Sequence, residues 1–254
     1  MHVVSIVLGL LIGLSLGLLG GGGSILTVPI FVYVLGFDAK DSIAMSLAVV
    51  GATSLVGAAG HWREGHVRLR VALVFGAVSM AGTYVGTHLA TRLTGSQQLV
   101  IFAAIMLAAA GTMVRGRHAA VADRRTDGLV AASSSLSVAV TGTAGLGVGA
   151  LTGMVGVGGG FLNVPALVWS GLAMRDAVGT SLLAIAMNCA VGFYGYQGHA
   201  QIAWVPMALV TAGTIPGIVT GTYAMRFVRQ EALRRGFAVL LVGVAAYMLY
   251  RTLA

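Results

Sequence analysis

The stretch Gly20-Gly21-Gly22-Gly23-Ser24-Ile25-Leu26-Thr27-Val28-Pro29 places four consecutive glycines inside a long hydrophobic segment. A degenerate copy, Gly156-Val157-Gly158-Gly159-Gly160-Phe161-Leu162-Asn163-Val164-Pro165, lies inside another long hydrophobic segment in the second half of the chain. Glycine and proline both interrupt helices, because glycine leaves the backbone free to adopt positive φ and proline has no backbone N–H. Each stretch therefore predicts a break between two helical pieces, at which the glycines can adopt positive φ.

The composition is that of an integral membrane protein. Hydrophobic residues make up 57% of the 254 residues and charged residues 9%, against about a quarter charged in soluble domains. Most arginines fall in short loops between apolar segments, so the net charge of +8 indicates membrane orientation and not a nucleic-acid partner. The lone Cys189 excludes an intramolecular disulfide. No cleaved signal peptide is expected, because the N-terminus has no basic n-region.

Eight hydrophobic segments predict an all-α fold that crosses a lipid bilayer. Most have the length of one membrane crossing, but the first and fifth are too long, and these two contain the glycine runs. We expect each of the two to fold back as a re-entrant hairpin, which gives up to ten helical pieces. The segments are about 3–35, 42–60, 69–91, 97–114, 129–171, 177–198, 203–225 and 235–252.

The two halves of the chain repeat. A shift of 136 residues aligns Pro29 with Pro165, and a shift of 135 residues aligns Asp41 with Asp176. Each repeat is expected to contain one glycine hairpin followed by three transmembrane helices. The expected units are a first transmembrane repeat at 1–114, a cytoplasmic linker at 115–128 and a second transmembrane repeat at 129–254.

The basic residues predict the orientation. If both long segments fold back as hairpins, twelve of the 15 Lys and Arg residues lie on one side of the membrane. By the positive-inside rule this side is cytoplasmic, and it carries the Arg-rich loops 61–70, 115–127 and 226–236. Each repeat then has an odd number of crossings, so the second repeat is inverted relative to the first. Inverted repeats with broken helices are typical of secondary transporters, which bind their substrate near the membrane midplane.

The helix start after each glycine run is a candidate anion site. Its first N–H groups lack internal partners, and the helix dipole there favours negative charge. Two such ends can converge on one small anionic substrate from opposite sides. The candidate substrate-binding residues are glycines of the two runs and nearby polar residues: Gly22, Gly23, Ser24, Thr27, Ser46, Thr53, Gly158, Gly159, Gly160, Asn163, Ser181 and Asn188.

Each of these residues also has a purely structural interpretation. Glycines let neighbouring helices pack closely, and buried Ser and Thr hydroxyls commonly bond to the backbone of their own helix. The segments carry no central Asp, Glu, Lys or Arg, and His61 is the candidate proton carrier. No nucleophile–base pair, metal-ligand spacing or Walker loop is present, so we expect neither an enzyme nor a cofactor or metal ion. The coupling ion, H⁺ or Na⁺, the transport direction and the oligomeric state stay open.

Several motifs resemble the TauE/SafE (TSUP) family of sulfite and organosulfonate exporters. They are the paired GGGGSILTVP and GVGGGFLNVP stretches, GTSLLAIAMN at 179–188, and the GxxxGT patterns at 82–87 and 217–222. The resemblance implies a bacterial inner-membrane permease that exports small sulfur-containing anions such as sulfite, sulfoacetate or other organosulfonates. Gly21 and Ser24 align with Val157 and Gly160, so we expect the two half-sites to contribute unequally.

Two other functions remain alternatives. The same broken helices could line an anion channel. In a membrane assembly factor without transport activity, the glycine runs would serve only packing.

Overall fold

The computed structural model describes residues 2–19, 22–114, 134–169, 171–224 and 230–253, which form ten helical segments and no strand. The prediction of an all-α chain with up to ten helical pieces is confirmed. The segment α2 consists of three consecutive turns, Gly22–Leu26, Thr27–Pro29 and Ile30–Val34. The other helices are α1 (His2–Leu19), α3 (Ala39–Arg63), α4 (Leu69–Thr91), α5 (Gly95–Val114), α6 (Ser134–Val155), α7 (Gly160–Trp169), α8 (Met174–Tyr196), α9 (Trp204–Ala224) and α10 (Gln230–Leu253).

Four of the described helices are long and apolar enough to cross a membrane, namely α3, α4, α8 and α9. Several shorter apolar helices accompany them, including α2 and parts of α1, α5, α6 and α10. Large hydrophobic side chains such as Val3, Val239 and Tyr250 are exposed on the outer helices, as expected for a surface that faces lipid. The chain is a multi-pass membrane protein.

Both predicted breaks fall at the glycine runs. The first break separates α1 from α2 and the second separates α6 from α7. Gly20 and Gly21, the predicted linker at 115–128 and residues 226–229 of the predicted loop 226–236 lie outside the described residues.

The segment α2 changes its helical geometry along its length. It begins as a 3₁₀ turn and ends as a π turn after Pro29, where the Leu35 N–H bonds to the Ile30 carbonyl at 3.0 Å. Proline has no N–H to donate to the preceding turn, which makes this a natural place for the helix to change its pitch. At the end of α2, the Tyr33 hydroxyl lies 3.4 Å from the Thr252 hydroxyl of α10.

Helices α3 and α8 form the centre of the molecule. In their most apolar stretches 61% of α3 and 67% of α8 is buried, against 39% of α4 and 33% of α9. The two central helices are antiparallel, because Gly51 packs against Cys189 whereas Gly57, further along α3, packs against the earlier Leu182.

Two peripheral helix pairs pack backbone to backbone through glycine. In the first pair, Gly9, Gly13 and Gly17 of α1 lie against Val210, Thr214 and Ile218 of α9, so these helices are parallel. In the second pair, Gly149 and Gly153 of α6 lie against Ser79 and Thr83 of α4, which are therefore also parallel. A Cβ atom at any of these five glycines would overlap a backbone carbonyl oxygen of the partner helix. Small residues allow this approach, which maximises van der Waals contact inside a bilayer.

These pairings determine which helix ends share a face of the molecule. Short connections make α4 antiparallel to α3 and α9 antiparallel to α8, so α1, α3 and α9 run one way and α4, α6 and α8 run the other. The C-terminal ends of α3 and α9 therefore share a face with the N-terminal ends of α4, α6 and α8. We call it the arginine-rich face, because it carries Arg63, Arg68, Arg70 and Arg175, whereas Lys40 and Arg92 lie on the opposite face. That the arginine-rich face is cytoplasmic stays a prediction.

Candidate functional site

The two glycine-preceded helices, α2 and α7, contact each other. The turn Gly22–Leu26 of α2 packs against α7, and α7 also packs against α8. Gly158, just before α7, packs between α3 and α8. A Cβ atom there would lie 2.7 Å from Val50 and 3.0 Å from Ile185. Val50 and Ile185 are central residues of α3 and α8, so the second glycine run lies halfway along the two central helices.

Both glycine runs are also required for packing. A Cβ atom at Gly23 would overlap the backbone of α1 at Ser15 and Leu16, and one at Gly159 would overlap the Thr152 hydroxyl of α6. The absent side chains let each short helix fold back against the preceding long one. A substitution at Gly159 therefore disturbs folding as well as any ligand, and the polar residues beside the glycines offer cleaner tests of binding.

The backbone conformations of the two runs differ. Gly156, Gly158 and Gly159 have φ values of 75°, 67° and 68°, in the left-handed region that favours glycine. Gly23 instead lies in the 3₁₀ turn that opens α2. The second run thus adopts the positive φ that glycine permits, and Gly23 does not. The physical reason is that α7 is preceded by a tight four-residue turn, whereas Gly23 is already part of a helix.

Thr27 and Asn163 are the most informative of the predicted site residues. They are equivalent under the 136-residue shift, and both side chains are 0% exposed. The Thr27 hydroxyl and both polar atoms of the Asn163 amide have no hydrogen-bond partner among the described residues. Most buried polar side-chain atoms in proteins have a partner, and leaving one unpaired costs about 1–3 kcal/mol. Thr27 and Asn163 differ from the other polar residues of the predicted site in that none of their side-chain polar atoms has a partner among the described residues.

The backbone around Asn163 is that of a helix start. The N–H groups of Leu162 and Asn163 both bond to the Gly159 carbonyl, at 3.0 and 2.9 Å. Gly160 is the first residue of α7, and the first N–H groups of a helix have no partner within it. Ser24, in the opening turn of α2, is fully buried.

The equivalent residues Ser46 and Ser181 make different contacts. The Ser46 hydroxyl donates to the Gly156 carbonyl at 2.8 Å and so ties α3 to the second glycine run. The Ser181 hydroxyl donates to the Val178 carbonyl of its own helix at 2.8 Å, which matches the structural interpretation of such residues.

Thr53 and Asn188, also equivalent, each bond to a hydroxyl on a helix of the other half. Thr53 lies 2.6 Å from the Thr214 hydroxyl of α9, and the Asn188 amide nitrogen donates to the Ser79 hydroxyl of α4. Thr53 also donates to its own helix at Val49, 2.7 Å away, and the second amide atom of Asn188 has no partner among the described residues. Ser79 and Thr214 were missed in the sequence, although the shift of 135 residues that pairs Thr53 with Asn188 relates them as well.

His61 lies apart from the glycine runs. It is buried near the end of α3, where a Cβ atom on Gly179 would lie 2.9 Å from the His61 Cβ. Eleven residues separate it from Val50, which corresponds to about 16 Å along a helix. The structure thus places the candidate proton carrier at the arginine-rich face and not beside Asn163.

Two acidic side chains hold loops on opposite faces. On the arginine-rich face, Asp176 bonds to His66 Nδ1 at 3.0 Å and to Arg68 Nε at 2.8 Å. On the other face, its equivalent Asp41 accepts a hydrogen bond from the Gln201 backbone N–H at 2.8 Å. Gln201 and His66 are themselves related by the 135-residue shift. Equivalent carboxylates therefore connect equivalent parts of the two halves.

Comparison with known proteins identifies the family of the chain. The profile of the family described as "Sulfite exporter TauE/SafE" matches residues 5–248. A "Probable membrane transporter protein" of Xylella fastidiosa is 32% identical over 99% of this chain and 96% of its own length. The "Probable membrane transporter protein YdhB" of Bacillus subtilis is 26% identical over 83% of this chain and 85% of its own length. No solved structure matches the chain significantly. The chain therefore belongs to the sulfite exporter TauE/SafE family, a family of membrane transporters.

Proposed function

We propose that this membrane transporter exports small sulfur-containing oxyanions such as sulfite or short organosulfonates. The observation that carries the proposal is the unpaired state of Thr27 and Asn163, which lie on α2 and α7, two glycine-preceded helices that contact each other. A sulfonate group offers three acceptor oxygens. Backbone N–H groups at helix starts, a hydroxyl and an amide nitrogen can bind such an anion without a buried cation.

We further propose that the two halves act as inverted repeats around this site. Three pairs of equivalent helices support the proposal, because the two members of each pair run in opposite directions. The pairs are α1 with α6, α3 with α8, and α4 with α9. The second glycine run lies halfway along α3 and α8, where inverted-repeat transporters bind their substrates. The predicted repeats at 1–114 and 129–254 correspond to α1–α5 and α6–α10.

The transport proposal predicts saturable exchange of sulfite. The full chain is purified and reconstituted in liposomes loaded with unlabelled sulfite. These liposomes are expected to accumulate labelled sulfite to a concentration above that of the labelled sulfite outside. Uptake should saturate and should require the internal sulfite. Liposomes without protein and liposomes loaded with chloride are the controls. Unitary currents without exchange would identify an anion channel instead, and the absence of both would contradict transport of these anions.

The paired carboxylates suggest how each face is kept closed. Alternating access requires that contacts closing one face break when that face opens. We propose that Asp176, bound to His66 and Arg68, closes the arginine-rich face, and that Asp41, bound to the Gln201 N–H, closes the other.

This closure model predicts that Asp176→Ala and Asp41→Ala open opposite faces. Cys189 is a natural probe, because its buried thiol lies beside Gly158. A membrane-impermeant maleimide should alkylate Cys189 faster from the arginine-rich face in Asp176→Ala and from the opposite face in Asp41→Ala. The increase should be about fivefold or less in Asp176→Ala, because a partly exposed ion pair contributes about 1 kcal/mol or less. Asp41→Ala, which removes one exposed hydrogen bond to a backbone N–H, should have an effect of similar size. Equal rates from both faces in both variants would contradict the assignment.

A further inference from the structure

The side-chain amide of Asn163 carries information about the ligand beyond its negative charge. An amide has one acceptor oxygen and one donor nitrogen, and at Asn163 both are buried and without a partner among the described residues. Flipping the amide exchanges the positions of the two atoms and leaves this inventory unchanged. To pair both atoms, a ligand must offer one acceptor to the amide nitrogen and one donor to the amide oxygen, whichever way the amide is oriented.

A fully deprotonated oxyanion satisfies only half of this requirement. Its oxygens accept hydrogen bonds from the Asn163 nitrogen, the Thr27 hydroxyl and the backbone N–H groups at the start of α7. It has no hydrogen atom to donate to the Asn163 oxygen. That oxygen would stay buried and unpaired even with the anion bound.

A bound cation is a poor partner for this oxygen. Asn163 lies in the first turn of α7, where the helix dipole favours negative charge and disfavours positive charge. Moreover, the acidic residues of the described helices, Asp41, Asp176 and Glu231, lie in terminal turns, so none stands in the middle of a helix to balance a cation. The same dipole disfavours an ammonium group as the donor. A neutral hydroxyl is the donor that suits this position best.

The two halves of the chain differ in a way that fits an asymmetric ligand. The position equivalent to Asn163 carries Thr27, whose short side chain offers a hydroxyl where Asn163 offers a larger amide. Both groups can bind the oxyanion end, but only the amide combines a separate donor and a separate acceptor in one plane. The second half can therefore bind a hydroxyl and an anion oxygen of the same molecule.

From these observations, and resting on the proposed function, we propose that Asn163 selects monoanions that carry a hydroxyl beside the oxyanion. Hydrogen sulfite and small hydroxysulfonates belong to this class, and alkyl sulfonates do not. The inference concerns specificity within the sulfur oxyanions, so it can fail while the transporter still carries sulfonates.

Hydroxymethanesulfonate and ethanesulfonate form a matched pair of probes. Both are permanently anionic and have the same number of non-hydrogen atoms, but one ends in a hydroxyl and the other in a methyl group. With the purified full chain, affinity is measured by thermal stabilisation at mildly acidic pH over a range of ligand concentrations. The native chain is expected to bind hydroxymethanesulfonate about tenfold or more tightly than ethanesulfonate, because the latter leaves the Asn163 oxygen unpaired.

The variant Asn163→Leu assigns the preference to this residue. It should bind both ligands with similar, weak affinity, since leucine has no acceptor for the hydroxyl. Equal affinities in the native chain would overturn the inference, and so would a preference that persists unchanged in Asn163→Leu. Binding of ethanesulfonate with no preference would leave the proposed function intact, whereas the failure of sulfite and both probes to bind would overturn the proposed function and this inference together.

Discussion

Replacing Gly149 by alanine is expected to lower the stability of the protein substantially, although the change adds only one methyl group. A Cβ atom at Gly149 would overlap the Ser79 backbone carbonyl of α4, and backbone atoms cannot move aside as a flexible side chain can. We expect a loss near the upper end of the range of about 1–3 kcal/mol that overpacking costs. The change should also affect the site, because moving α4 shifts Ser79, the partner of Asn188.

The matched control for this substitution is Gly147→Ala on the same helix. Gly147 is exposed, and a Cβ atom there would meet no atom within 4 Å. Alanine is favoured over glycine inside a helix by about 0.5–1 kcal/mol, so Gly147→Ala should be neutral or slightly stabilising. The melting temperatures of both variants in the same detergent test the prediction. A Gly149→Ala protein that melts at or above the native temperature would show that α4 and α6 do not pack as described.

Asn163→Leu is expected to raise the stability of the ligand-free protein while it weakens ligand binding. Leucine has the same number of side-chain non-hydrogen atoms as asparagine and branches at the same position, and it removes two buried polar atoms that have no partner among the described residues. Leaving such atoms unpaired costs about 1–3 kcal/mol, and the variant recovers this free energy. The same change should weaken sulfite binding by about tenfold or more, because the ligand loses its contacts with the amide.

Thermal unfolding with and without sulfite measures both effects in one experiment. The control is Thr220→Val, since the exposed Thr220 hydroxyl bonds to the Pro216 carbonyl of its own helix at 2.8 Å. This control should change neither the melting temperature nor the response to sulfite appreciably. A destabilised Asn163→Leu protein that still responds fully to sulfite would instead make Asn163 a structural residue.

Opposite effects on stability and binding are the mark of a binding residue. A residue that only supports the fold lowers stability when it is removed, as is expected for Ser46, whose hydroxyl bonds to the Gly156 carbonyl. Binding sites commonly contain groups that are unfavourable until the ligand is present. Thr27 and Asn163 therefore differ in kind from Ser46 and Ser181, although all four are buried polar residues of the same predicted site.

Part of the helix packing could have been predicted from the spacing of glycines in the sequence. The glycines of α1 recur every four residues at Gly9, Gly13 and Gly17, and those of α9 recur at Gly213, Gly217 and Gly221. Small residues at this spacing line one side of a helix, and such stripes pair in membranes. The spacing could have predicted the contact of α1 with α9, although several glycine-rich helices compete for each partner.

By itself, the sequence determined the membrane class, the ten helical pieces, the breaks at the glycine runs and the correspondence between the halves. These features follow from local properties, namely hydrophobic length, glycine and proline content and spacing along the chain. Only the tertiary structure decided which polar groups are satisfied: Ser46 by a distant carbonyl, Asn188 in part by Ser79, and Asn163 by no described residue. The physical reason is that hydrogen bonding and packing depend on residues more than 100 positions apart, which only the folded helices bring together.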